Sequence, residues 1–151
     1  ATPLGNRQIP EFFTNQVVTW AQDNEDIPAS FIIEVEVIMS KIAAENPFDF
    51  RHHLILGNFY NAARKFDPSY VDRAEEILTK AVELSPTNPQ VYTSLGQTYL
   101  FKGDKDKAFT LLQKAIDLEP GYTKSSLNLA ESYVMMGEYE KGDVTVFDSR
   151  R

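Results

Sequence analysis

From Ala74 to Pro86 the chain sets small and large apolar residues against charged ones at helical spacing. Ala74, Leu78 and Ala81 share one face, Glu75, Glu76 and Lys80 lie off it, and Pro86 ends the run. The pattern returns 34 residues later at Ala108, Leu112 and Ala115, with Lys114 in place of Lys80 and Pro120 in place of Pro86. A second motif precedes the later copies: Leu95-Gly96 with Tyr99 and Gly103, then, at the same interval, Leu129-Ala130 with Tyr133 and Gly137. Leu56-Gly57 with Tyr60 lies 39 residues before the Leu95 copy, which implies five extra residues in its turn, and Lys65 to Ser69, with Pro68, look like that insertion. Each copy therefore predicts two helices. Gly57, Gly96 and Ala130 let the first helix approach its neighbour, and Ala74, Ala81, Ala108 and Ala115 do the same on the second. Tyr60, Leu78, Tyr99, Leu112 and Tyr133 fill the space that remains. Pro86 and Pro120 stop the second helices, and Gly103-Asp104 and Gly137-Glu138 turn between helices.

Outside these copies the pattern fades. Pro47 occupies a position that ends a repeat, and Val35, Met39 and Ile42 fall where second-helix residues belong, so Pro28 to Glu45 reads as the second helix of a degenerate repeat. Pro10 to Gln22, with Phe12, Phe13, Val17 and Trp20 at helical spacing, reads as its first helix or an N-terminal cap. At the other end Gly142 replaces the expected alanine. Asp143 to Asp148 is rich in β-branched residues with no helical stripe, which leaves the third repeat incomplete.

A 34-residue period carrying Tyr92, Leu95-Gly96, Tyr99, Ala108, Leu112, Ala115 and Pro120 resembles the tetratricopeptide repeat (TPR) family, and the segment from Pro89 to Gly121 supplies nearly the whole family pattern. The resemblance implies an all-α fold, an α-solenoid of antiparallel helix pairs wound into a right-handed superhelix. Residues 1–151 are then one such domain: 1–47 a degenerate helix pair or cap, 48–88 a repeat with a turn insertion, 89–122 the best-matching repeat, and 123–151 an incomplete repeat and tail. Solenoids need a polar cap at each end, so the ragged C-terminal end points to truncation, a partner or self-association.

Composition narrows the function. A chain of 151 residues that is 42% hydrophobic and 25% charged can bury a core. With no cysteine it has no disulfide, thiolate nucleophile or thiolate metal site. A net charge of -7 repels a phosphate backbone, so nucleic acid is not an expected partner. The apolar run Ala29 to Ile33 is broken by Glu34 and Glu36 well before the roughly 18 residues a bilayer crossing needs. No direct membrane insertion of this segment is expected. The opening Ala1-Thr2-Pro3 has neither a Met nor a signal pattern, which suggests a processed N-terminus or a fragment of a longer chain. The absence of cysteine suits either side of a membrane and leaves the compartment open.

Candidate chemistry is sparse. His52 and His53 are the only histidines, and neighbours on a helix point roughly 100° apart, so they cannot share a metal. His53 falls on the repeat's aromatic position and reads as a packing residue, His52 as solvent-facing. Glu34 and Glu36 diverge in the same way, and Glu75-Glu76 and Asp23 to Asp26 read as solvated charge. There is no phosphate-cradling loop and no Gly-x-Ser-x-Gly elbow. The expectation is a non-enzyme with no cofactor, no catalytic residue and no metal.

In the TPR family the first helices line a concave groove that holds an extended peptide or a partner's helix. Carried over position by position, the resemblance implies a groove from Arg51, Leu54, Asn58, Asn61 and Ala62, then Gln90, Thr93, Gln97, Leu100 and Phe101, then Lys124, Leu127, Glu131, Val134 and Met135. Asn and Gln can pair with a peptide backbone while Leu54, Phe101 and Leu127 make pockets. Some relatives grip C-terminal carboxylates with a clamp of lysine, asparagine and arginine. Asn58 and Lys124 match it, but Leu54, Ser94 and Asn128 stand where lysine, asparagine and arginine are required, so capture of acidic C-termini is not expected. The function implied is a protein-protein interaction scaffold whose partner is a protein or peptide. The alternative is a soluble TPR tail of a larger membrane glycan ligase or polymerase, because Pro3 to Ile9 followed by an amphipathic helix loosely resembles the junction before such tails in O-antigen-ligase-like proteins.

Overall fold

The computed structural model describes residues 28–121, 127, 129 and 130. Among them are five α-helices and no strand: α1 (Ala29–Glu45), α2 (Phe50–Ala63), α3 (Tyr70–Leu84), α4 (Pro89–Lys102) and α5 (Lys105–Leu118). The helix expected over Pro10 to Gln22, the second-motif residues Tyr133 and Gly137, and the tail 143–151 lie outside the described residues. The chain divides into two compact units, Ala1–Leu84 and Ser85–Arg151.

In the first unit α2 packs against both α1 and α3. The stripe Ile32, Val35, Met39 and Ala43 turns one face of α1 inward, and Ala74, Leu78 and Ala81 on α3 are wholly buried. Burial of Leu78 alone contributes about 1.5–3 kcal/mol. Gly57 lets α2 come down on Leu78, whose isobutyl group occupies the place a β-carbon would need. Phe59, Tyr60 and Tyr70 form a tilted aromatic cluster with ring centroids 5.3 to 6.2 Å apart. Glu36 of α1 fastens that cluster: its carboxylate accepts from the Tyr70 hydroxyl at 2.7 Å and from the Tyr60 hydroxyl at 3.3 Å, and pairs with the Arg73 guanidinium. Arg73 in turn lies over the Tyr70 ring. Burial, and secondarily Glu36, push the Tyr70 phenol above its ordinary pKa.

In the second unit α4 packs against α5. Pro89 sits at the start of α4, where its missing N–H costs nothing, and Asn88 caps that end. Gly103 closes the helix in the left-handed region (φ 77°), and Asp104 caps α5 through the Lys107 N–H. Gly96 admits Leu112, which with Ala108 and Ala115 is fully buried. The connections differ in length. Gly103 and Asp104 join α4 to α5, whereas Arg64 to Ser69 join α2 to α3, with the Asp67 carboxylate accepting from the Ser69 N–H.

Candidate peptide-binding surfaces

On α2 a partly exposed strip follows one helical line through Arg51, Ile55, Asn58 and Ala62, residues at spacings of four, three and four. Arg51 is exposed and the other three are half-buried. Leu54 and Asn61, placed in the groove from the family register, are buried at 8% and 4% exposure. They sit to one side of the strip, where α2 turns inward. Ile55, absent from that register, occupies the middle of the strip. Its signal was available in the sequence: it lies four residues after Arg51 and three before Asn58.

Arg51 does not offer a free cation. Its Nε donates to Asp49 Oδ1 at 2.9 Å and a terminal nitrogen donates to Asp49 Oδ2 at 2.7 Å. The Asp49 carboxylate also accepts from the Arg51 backbone N–H and so caps α2. These bonds hold the Asp49 carboxyl at about 2, well below its ordinary 3.8.

On α4 Gln90 is exposed, and Gln97, Leu100 and Phe101 are half-buried. Thr93, like its neighbours Ser94 and Thr98, is buried. The hydroxyls of Thr93 and Thr98 donate back to the Pro89 and Ser94 carbonyls, which satisfies them inside the helix. Leu127 is half exposed. Lys124, Glu131, Val134 and Met135 lie outside the described residues.

The other side of α2 carries His53, Leu56 and Tyr60, which floor a pocket of about 600 Å³ between α1 and α3. His53 is 2% exposed, in keeping with a packing role. His52 is not solvent-facing as expected: its side chain is only 15% exposed, with Nε2 3.8 Å from Asp49 Oδ2 and Nδ1 buried without a partner. Met39 and Ile42 of α1 line a small cavity with His52 and Ile55. Among the described residues no group of three His, Cys, Asp or Glu side chains is placed to hold a metal, and no helix is long and apolar enough to cross a membrane.

Residues 77–110 match a tetratricopeptide repeat model. No curated protein matches the chain in sequence. Among solved structures, the chain is similar to a thermophilic TPR protein of Thermus thermophilus at 22% identity and a TM-score of 0.73, covering 93% of this chain and 72% of that one. It is similar to MamA of Desulfovibrio magneticus at 18% identity and a TM-score of 0.67, covering 95% and 85%. The second TPR of Spaghetti, solved with the HSP90 peptide SRMEEVD, shares 18% identity at a TM-score of 0.58, covering 71% of this chain and 94% of that one. Residues 77–110 thus carry a tetratricopeptide repeat, and the likeness to these structures shows that the described residues take the all-α fold of TPR solenoids.

Proposed function

We propose that this chain is a non-catalytic scaffold that binds a peptide or a partner's helix through the partly exposed strips of its first helices. The observation that carries the reading is the strip on α2, where the amide of Asn58 lies between the apolar Ile55 and Ala62. An amide there can pair with a ligand's backbone while its neighbours take side chains. On α4, Gln97 and Phe101 repeat the pairing of an amide with an apolar surface. In the third repeat, Lys124, Leu127, Glu131 and Met135 are proposed to extend it.

The strip favours neutral and apolar ligand segments over C-terminal carboxylates. Arg51 is already neutralised by Asp49, and Leu54 supplies no cation. The peptide held by the Spaghetti repeat ends in acidic residues, so this chain is proposed to share the fold of that complex and not its ligand chemistry.

The test is a partner captured with the intact chain, then measured against Phe101→Ala and, separately, Lys105→Ala. Loss of binding in Phe101→Ala with retention in Lys105→Ala is the expected result. The reverse pattern would place the contact elsewhere on the molecule.

A further inference from the structure

The turns that lead into α2 and α4 are built alike. The Asp49 N–H donates to the Asn46 carbonyl at 3.1 Å, and the Asn88 N–H to the Ser85 carbonyl at 3.2 Å. Asp49 and Asn88 then cap their helices by accepting from the N–H two residues on, at 3.0 and 2.9 Å. Pro47 and Pro86 hold the same place in these turns, and His53 and Tyr92 are each the fourth residue of the helix that follows.

At that fourth position the copies diverge. Tyr92 sends its ring back over the turn and donates its hydroxyl to the Pro86 carbonyl at 2.8 Å. The shorter imidazole of His53 turns to its own helix start, with Nδ1 3.0 Å from the Asp49 carbonyl. A carbonyl only accepts, so Nδ1 carries the proton and Nε2 is left as an acceptor. Nε2 has no hydrogen-bond partner among the described residues and, although His53 as a whole is 2% exposed, that nitrogen is not sealed from solvent. Pro47 and His53 both line the pocket of about 600 Å³, whose lining mixes the apolar Leu56 and Ile77 with the charged Glu36, Arg73, Glu76 and Lys80.

We propose that this pocket takes a tyrosine side chain presented by a partner polypeptide. The ring enters the pocket and the phenol donates to His53 Nε2. A phenylalanine would fill the pocket without pairing that nitrogen. The pocket lies on the opposite side of α2 from the Arg51–Ala62 strip, so the outcome for one does not decide the other.

The test is a titration of the ¹⁵N-labelled chain with N-acetyl-tyrosinamide, followed by NMR. The expected result is saturable shifts of the amides of His53, Leu56, Ile77 and Lys80, with N-acetyl-phenylalaninamide binding about fivefold or more weakly for want of one hydrogen bond. His53→Tyr supplies the phenol internally and should abolish the shifts. Ala44→Phe fills the pocket from an exposed position on α1 and should do the same without disturbing the buried histidine. Absence of saturable shifts up to the probe's solubility limit overturns the proposal. So does equal affinity for the two probes, or undiminished binding in both variants. Tighter binding of free tyrosine than of the blocked probe overturns the polypeptide as the source of the side chain.

Discussion

Gly57 and Leu78 are matched across the α2–α3 contact: a β-carbon on Gly57 would overlap the branch point and both methyls of Leu78. Leu78 is fully buried and cannot swing aside into solvent. Gly57→Ala should therefore cost about 1–3 kcal/mol in urea unfolding. Combined with Leu78→Ala, the two losses should sum to less than their separate values, because the smaller side chain makes room for the new methyl. Additive losses would show that the two residues are not in contact. In the second unit Gly96→Leu should be costly for the same reason, since even a β-carbon there would lie 2.9 Å from Leu112 Cγ.

Glu36→Ala should destabilise more than Arg73→Ala. The first leaves the buried Tyr70 hydroxyl without its 2.7 Å acceptor, at a cost of about 1–3 kcal/mol. The second removes a guanidinium that is 49% exposed, and solvent-screened pairs contribute little. Thermal melts of the two variants compare them directly.

Asp49 links stability to acid. Its carboxyl titrates at about 2 in the folded chain, against 3.8 ordinarily, chiefly through the Arg51 hydrogen bond. A depressed folded value means that the contribution is fully present above 3.8 and is lost as the pH falls from there toward 2. In Arg51→Ala the Asp49 midpoint, followed by carboxyl carbon NMR, should move up toward the ordinary value. An unmoved midpoint would assign the depression to something other than Arg51.

Gly103→Ala should cost about 1–2 kcal/mol. No neighbour lies within 4 Å of where its β-carbon would go, so the whole effect is backbone strain at φ 77°. Gly103→Asn should lose less, because asparagine tolerates the left-handed region better. Chemical denaturation of the two variants distinguishes this from a packing effect.

Ile55→Glu tests the strip on α2. Ile55 is half-buried at the helix surface, so the fold should persist by circular dichroism while affinity for a captured partner falls about tenfold or more. Asn58→Ala should weaken different peptides alike, because an amide on a ligand backbone reads no side chain.

Much of the scaffold was legible because repetition exposes it. The interval between the Ala74 and Ala108 blocks, the prolines that end them and the Gly103-Asp104 turn prescribed α3, α4 and α5, and Gly57 and Gly96 marked the close approaches. The Glu36 cluster was not legible. Its partners Tyr60, Tyr70 and Arg73 lie 24, 34 and 37 residues away, and no periodicity announces an acid reaching across two helices. Likewise the family register assigned Leu54 to the groove, whereas the local rotation of α2 buries it and leaves Ile55 half-buried on the strip. The burial of His52 was not legible in the helix's own pattern, which does not show that His52 faces a small cavity shared with Met39 and Ile42 of α1.

The short connections of the helix hairpins bear on how the chain reaches this structure. With two residues joining α4 to α5 and six joining α2 to α3, most packing partners are neighbours in sequence before they are neighbours in space. Closing such loops requires little chain entropy, and the longer α2–α3 connection adds only a logarithmic increment. Chains dominated by such local contacts fold in microseconds to milliseconds. Each hairpin can therefore nucleate on its own glycine-leucine contact, and substitutions at Gly57 and Gly96 should slow refolding as well as lower stability.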